Sequence, residues 1–379
     1  MQSTDIRTAF VSTNSIAQGE QITSVWKPLF DLYDLHIDFA YTTFRWDSEA
    51  SLKAHVHCVI IGFSYAENPK PKTLYSSEKY KYVNNISPYL IDAPTVFIDK
   101  RSKPLCTVPA MCKGSQPTDG GNFILQPDEK DDFIKQYPEL EPYIKRFMGA
   151  DEFINNRYRY CFWLKNAKPS VLRKCKPLLD RIDKVRESRA ASSKAATRQW
   201  ADKPTLFTED RQPTSNYIIV PSVSSEQRKY IPIGFLTPDT VASNLVLIIP
   251  DATLYHFGIL TSNVHMAWMR TVAGRLKSDY RYSNTIVYNN FPFCIPTTEQ
   301  KAKIKKTAQM ILDARAAHPD CSLADLYDET VMPADLRNAH QANDKAVMEA
   351  YGFWGKLNSE SECVAALMKM YQELTEGLK

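Results

Sequence analysis

Phe44 and Trp46 stand two positions apart in Thr43-Phe44-Arg45-Trp46, and on a strand that spacing sends both rings to one face. Two aromatic rings on one face can form a wall against which an extruded base stacks. The plain alternative is a pair of core aromatics. A second group with chemical potential is cationic. From Lys165 to Arg198 eleven Lys and Arg face only Asp180, Asp183 and Glu187, a local net of +8 in a chain whose overall net charge is +4. Such a concentration suggests a surface that meets phosphates, or else a solvated helix whose cations outnumber its anions. Within it Arg186, Arg189 and Arg198 fall on a polar stretch rich in small residues, which can lie open beside a duplex and set register and affinity rather than sequence. The loop Gly114-Ser115-Gln116-Pro117-Thr118-Asp119-Gly120-Gly121-Asn122 offers consecutive backbone N–H groups that could cradle a phosphate, or form an ordinary turn. His55 and His57 share a strand face, but no third ligand lies nearby, so a structural role fits better than a metal. Eight cysteines include no C-x-x-C pair, which argues against a disulfide framework and a zinc site. No metal is expected.

The elements that must position these groups divide the 379 residues into two or three domains. Ala9 to Thr13 reads as a buried strand, Gln18 to Tyr33 as a helix, and His36 to Tyr41 and His55 to Phe63 as strands. The last is a continuous apolar run, as expected in an α/β sheet covered on both faces. Asp128 to Phe147 predicts two short helices interrupted by Pro138. Pro169 to Trp200 predicts a helix that Pro177 kinks or splits. Asn216 to Pro221, Lys229 to Phe235, Leu245 to Pro250 and Ala252 to Leu260 read as strands. Thr261 or Ser262 then caps a helix that ends at Gly274. Arg275 to Tyr288 is polar, cationic and aromatic, a hairpin or extended loop of the kind that can enter a major groove. From Glu299 onward the pattern is helical throughout: Glu299 to Ala317, short turns at Leu323 to Tyr327 and Pro333 to Ala339, then Asp344 to Tyr351 and Ser361 to Leu378. No apolar run approaches the ~20 residues of a membrane span, and Met1-Gln2-Ser3-Thr4-Asp5 has no signal-peptide pattern. A cytoplasmic chain with no membrane partner is the expectation.

Several blocks carry a resemblance. Phe10-Val11-Ser12-Thr13-Asn14-Ser15-Ile16, with Gln18-Gly19-Glu20-Gln21, looks like the strand and helix after the catalytic loop of amino-methyltransferases of the MmeI type. Thr43 to Trp46 resembles their later base-stacking motif. Arg159 to Leu164, Val223 to Pro232, Phe257 to Ser262, Gly274 to Ser283 and Tyr288 to Pro292 resemble their target-recognition domain in order and spacing. The resemblance implies a type II restriction–modification, adenine-specific DNA methyltransferase. It implies α/β plus α+β architecture: a partial doubly wound methyltransferase sheet at 1–65, a connecting segment at 66–125, a mixed α+β recognition domain at 126–296, and an all-α C-terminal cap at 297–379 closing over double-stranded DNA. It places Phe44 on the flipped base, leaves Trp46 open between that base wall and a core role, and places Ser224, Ser225, Arg228, Arg275 and Arg281 at the DNA backbone or groove. It also puts Lys277 and Asp279 in the base-reading segment. If that segment is extended, both side chains project to one side. The ammonium then suits O6 and N7 of guanine and the carboxylate suits the N4 amine of cytosine; otherwise the two form an exposed ion pair.

The same family uses an Asn/Asp/Ser-Pro-Pro-aromatic loop and a glycine-rich turn for S-adenosylmethionine. Neither occurs here: Asn68-Pro69-Lys70-Pro71 and Asn290-Phe291-Pro292-Phe293 both depart from the loop pattern, and the chain holds 12 glycines. The expectation is therefore a C-terminal portion that supplies recognition and a base pocket. It would be catalytically silent alone and bind no S-adenosylmethionine, the catalytic half and any nuclease lying in a missing N-terminal part. A stand-alone specificity subunit working in trans is the other reading; an RNA-binding protein has little to support it, since no stacking motif of an RNA-recognition domain is present.

Overall fold

The computed structural model describes residues 6–47, 55–65, 70–76 and 79–377. The N-terminal region comprises β1 (Arg7–Thr13), α1 (Lys27–Leu32), β2 (His36–Asp47), β3 (His55–Ser64), β4 (Lys72–Ser76) and β5 (Lys79–Val83). They form one sheet in the order β1-β3-β2-β4-β5. β3 runs antiparallel to both β1 and β2, whereas β2 and β4 are parallel. β3 sits between two partners, and the alternation of a strand puts Val59, Ile61 and Phe63 on one face, where they are buried with Trp26, Ile37, Ala40 and Leu74. A widened turn at Ile22–Trp26 leads into α1, and the Trp26 indole donates to the Ile16 carbonyl at 2.9 Å, fixing the segment that follows β1.

The middle region starts with β6 (Cys112–Lys113), β7 (Ile124–Leu125), α2 (Pro127–Gln136), β8 (Ile144–Met148), α3 (Ala150–Ile154) and β9 (Tyr160–Phe162). It continues through α4 (Pro169–Leu172), α5 (Lys176–Ala190), α6 (Ala195–Arg198), β10 (Tyr217–Pro221), β11 (Val223–Ser224), β12 (Gly234–Leu236), β13 (Thr240–Ala242) and β14 (Val246–Pro250). α7 (Leu254–Leu260), α8 (Asn263–Val272), β15 (Gly274–Leu276) and β16 (Asp279–Arg281) complete it. Three sheets result, ordered β12-β10-β14-β6, β13-β8-β9-β7 and β11-β16-β15. α5 packs Leu178, Ile182 and Val185 against the second sheet. α7 and α8 share one core with the C-terminal helices α9 (Thr298–Ala316), α10 (Leu323–Leu326), α11 (Ala334–Ala350) and α12 (Glu360–Glu376). The layout is thus a mixed N-terminal sheet, a mixed α+β middle and an all-α C-terminal segment. Among the described residues no helix is long and apolar enough to cross a membrane.

Local differences from the sequence pattern have physical causes. Ala252 to Leu260 is the helix α7 rather than a strand. Thr253 and His256 form its capping box, and a short apolar run buried all round has no period that separates the two forms. Only the end of Lys229 to Phe235 is a strand. The second helix expected before Phe147 is a short 3-10 helix at Pro138–Tyr143, and the residues after it form β8. Pro177 starts α5 instead of kinking it, because the first turn of a helix leaves its N–H groups free of partners anyway.

Candidate nucleic-acid interface

α8 ends where Ala273 turns extended, and the chain immediately forms the hairpin of β15 and β16, with Leu276 opposite Asp279. The two-residue turn Lys277-Ser278 puts Lys277 at φ +57°, as the primed turns of tight hairpins require at their first position. The hairpin is stiffened from within. The Arg275 guanidinium lies 3.8 Å from the Tyr280 ring centre, and donates to the Ser278 carbonyl at 2.7 Å and the Glu226 carboxylate at 3.4 Å. β11 adds a third strand, with Val223 opposite Arg281 and Ser224 opposite Tyr280. Beneath, the buried His265 ring meets the Tyr282 hydroxyl at 2.8 Å, and burial pushes that imidazole down to about 3.

A cleft of about 680 Å³ with a mixed polar and apolar lining opens along this sheet. Arg275, Arg281 and Asn284 line it from the hairpin side, and Ser15, Gln18 and Gln21 line it from the segment after β1. The two regions touch at Gly19, whose φ is +52°; a methyl group there would stand 3.1 Å from the Gly274 backbone. Two glycines in contact let the two backbones close one end of the cleft.

The expected site residues fall into separate places. Arg281 is exposed and lines the cleft. Lys277 is exposed at the turn, whereas Asp279 is half-buried and accepts the Glu226 N–H at 3.4 Å. The premise that both belong to one extended run is corrected: the turn reverses the chain between them. Ser224 is buried and its hydroxyl has no partner among the described residues, while the Ser225 hydroxyl accepts the Gln227 N–H at 3.3 Å. Arg228 is half-buried in a second, polar hollow of about 340 Å³ with Ser225, Asp328 and Glu329. Desolvation lowers its pKa, opposed by Asp279 and Asp328. Phe44 is half-buried and Trp46 is 52% exposed, their ring centres 6.2 Å apart. Neither lines the cleft.

Arg189 is a correction. It is fully buried, and its guanidinium donates to five carbonyls: Thr118, Trp200, Lys203, Pro117 and Leu206. It cannot also meet a phosphate. It fastens instead the loop at 117–118, in which Asp119 accepts the N–H groups of Gly121 and Phe123 at 3.2 and 2.7 Å. Those donors are therefore taken by the protein rather than offered to an anion. Arg198 bonds the Ser192 and Ser193 carbonyls; Arg186 is exposed and pairs with Asp183. The sequence reading missed Ser15, Gln18 and Gln21 as cleft residues; the lone glycine within Gln18-Gly19-Glu20-Gln21 was the available signal.

Comparison with known proteins places these regions. Models of three domains of MmeI match: the DNA-methyltransferase domain at residues 1–76, the target recognition domain at 92–295 and the C-terminal domain at 296–379. DNA methyltransferase A of Bacillus subtilis (strain 168) is 41% identical over 373 residues, which are 98% of this chain and 42% of that protein. The solved structure of the Type IIL restriction-modification enzyme MmeI in complex with DNA superposes with a TM-score of 0.90 at 45% identity, over 99% of this chain and 50% of that one. The chain thus spans about half the length of the relatives it matches.

The match at residues 1–76 corrects the expectation of a C-terminal recognition and base-pocket portion with its catalytic half missing. Methyltransferase-domain sequence lies in this chain itself. Two short motifs were too narrow a test, because a domain is defined by its whole run of strands and helix. The expectations that the chain is silent alone and binds no S-adenosylmethionine lose their ground with it. Neither glycine of the first 91 residues provides a cofactor turn: Gly62 is covered by the Phe39 ring, and Gly19 by Gly274.

Proposed function

Because this chain belongs to the MmeI family, we propose that it recognises a specific site in double-stranded DNA and acts in methylating a base there. The resemblance implies that the acceptor is the exocyclic amine of adenine. The observation that carries this reading is the cleft between the Ser15–Gln21 segment and the β15–β16 hairpin, where methyltransferase and recognition regions meet. A hairpin fits a major groove, and there each base pair presents its own pattern of donors and acceptors. Arg281 supplies donors at the cleft. The stacked Arg275 is held too firmly to search for partners, and positions the turn. The half-buried Phe44 and the exposed Trp46 offer aromatic rings for an extruded base.

The test uses the whole chain. Binding to duplex DNA over a salt series should give a log–log slope set by the phosphate contacts. Sequencing of duplexes retained from a random pool should give one enriched motif. Labelled S-adenosylmethionine, with nucleoside analysis of the product, measures transfer and identifies the base, and calorimetry measures cofactor binding. A chain that retains no duplex at low salt sinks the proposal.

A further inference from the structure

Residues 229–233 lie outside any helix or strand, yet Tyr230, Ile231 and Ile233 are buried. Side chains of the C-terminal domain hold this stretch at three points. Glu360, at the start of α12, receives two hydrogen bonds from Arg270 at 2.8 and 2.7 Å, and Arg270 donates in turn to the Lys229 carbonyl at 3.0 Å. Asp344 of α11 accepts the Tyr230 hydroxyl at 2.7 Å, and the Tyr230 ring stacks on His340 with centres 4.1 Å apart. Arg315 of α9 donates to the Ile233 carbonyl at 2.6 Å and is itself braced on the Tyr327 hydroxyl.

Asp344 does more than hold Tyr230. Its other oxygen accepts the Asn263 N–H at 2.7 Å, at the first residue of α8. The far end of α8 delivers Gly274 and the hairpin. One buried carboxylate therefore joins the two chain segments that enter the three-stranded sheet: the segment of β11 and its loop, and the segment of β15. Desolvation raises the Asp344 carboxyl to about 6 in spite of these donors, so the pair of bonds is kept at a cost.

We propose that the C-terminal domain is a clamp for sequence recognition, with Asp344, Glu360 and Arg315 as positioning residues. They fix where the Ser224–Arg228 loop and the Lys277–Asp279 turn stand relative to each other and to the bases. This rests on the DNA-recognition reading above. A rigid, correctly spaced pair of reading elements discriminates between bases, because misplacement of either leaves base-edge groups unpaired. Phosphate contacts tolerate such a shift better and should persist.

Hydrogen exchange and duplex selection on the whole chain test the clamp separately from DNA binding. Tyr230→Phe keeps the ring and removes one bond; it should speed amide exchange roughly tenfold at 224–233 and leave 263–281 unchanged, the scale of one lost charge-assisted bond. Asp344→Ala should speed exchange in both segments. Lys303→Ala, which breaks an ion pair inside the C-terminal domain, should change neither. In selection from random duplex, Tyr230→Phe should lower enrichment of the wild-type motif roughly tenfold while the salt slope of binding holds. Asp344→Asn provides a milder variant should the alanine fail to fold. Unchanged exchange at 224–233 in Tyr230→Phe, or an undiminished motif, overturns the clamp. If the wild-type chain retains no duplex, the recognition reading falls, and the exchange pattern still decides whether Asp344 couples the two segments.

Discussion

Arg189 in α5 and Arg281 in β16 carry the same side chain into opposite settings. α5 belongs to the most cationic stretch of the chain, and its Arg189 ends fully buried with five carbonyl partners. The hairpin is cationic too, with Arg275, Lys277 and Arg281 against Asp279, yet its Arg281 ends exposed at the cleft. The difference lies in what the nearby backbone lacks. The turns at 117–118 and 200–206 leave carbonyls pointing inward without partners, and a planar guanidinium with five donors satisfies them together. The hairpin pairs most of its carbonyls through β11, β15 and β16; Arg275 is taken up by the Ser278 carbonyl and Glu226, and Arg281 is left for other work. Local charge in a sequence thus records supply; the unpaired backbone groups decide where a cation is spent.

The largest effect that can break this comparison is on stability. Arg189→Lys should destabilise the chain by roughly 3–5 kcal/mol, because an ammonium has three donors and no fork, and the remaining buried carbonyls go unpaired. Urea denaturation measures it. A midpoint equal to wild type, with weakened DNA binding, would return Arg189 to the phosphate role.

Next in size is the glycine contact at the cleft. Gly19→Ala combines a positive φ with a methyl group 3.1 Å from Gly274, whereas Gly121 has φ +84° and no described residue's atom within 4 Å of an added methyl. Both alanines carry the backbone penalty of about 1–2 kcal/mol. Only Gly19→Ala should add crowding and disturb the cleft. Parallel thermal melts check the first part, and DNA binding checks the second. Equal losses in both assays would mean that the Gly19–Gly274 contact does not hold the cleft.

Much of the frame could be read from residue patterns. The apolar run of β3, the cap before α8, and the α8-to-hairpin break at Gly274 all express themselves within a few residues. What escaped has a common feature: it depends on partners far along the chain. Ala252 to Leu260 is a helix because α9 and α11 cover it, and Arg189 is internal because Pro117 and Leu206 converge on it. The Lys277-Asp279 spacing suggested a shared face, and only the pairing of Leu276 with Asp279 reveals a turn between them.

The hairpin side of the comparison is sharpened by exchanging its charges. With Lys277 exposed at the turn and Asp279 at the strand start, the two can still address one base pair from neighbouring positions. Lys277→Glu with Asp279→Arg should move the preference at one position from guanine toward cytosine, by about 1–3 kcal/mol per contact. Sequencing of retained or methylated duplexes reads this. An unchanged motif with full activity would make the pair structural, Asp279 serving only as acceptor for Glu226.

The smallest effect concerns the residues of the basic stretch that remain outside. Arg186 is exposed, and its only fixed partner among the described residues is Asp183, one turn away; an exposed pair of this kind is worth within about 0.5 kcal/mol. Arg186→Ala should therefore leave the melting midpoint almost where it was. Arg198 differs, since its guanidinium closes the turn at Ser192 and Ser193 with bonds of 2.8 and 2.9 Å. Arg198→Ala should cost about 1 kcal/mol through those two carbonyls. DNA binding separates the remaining roles. If Arg186 meets a phosphate, its alanine lowers the salt slope by up to about one unit equally for every duplex sequence. A slope unchanged in Arg186→Ala removes α5 from the interface altogether and leaves the hairpin as the DNA-facing region. A loss confined to one sequence would instead make Arg186 a base reader, and the division between a structural α5 and a reading hairpin would no longer stand.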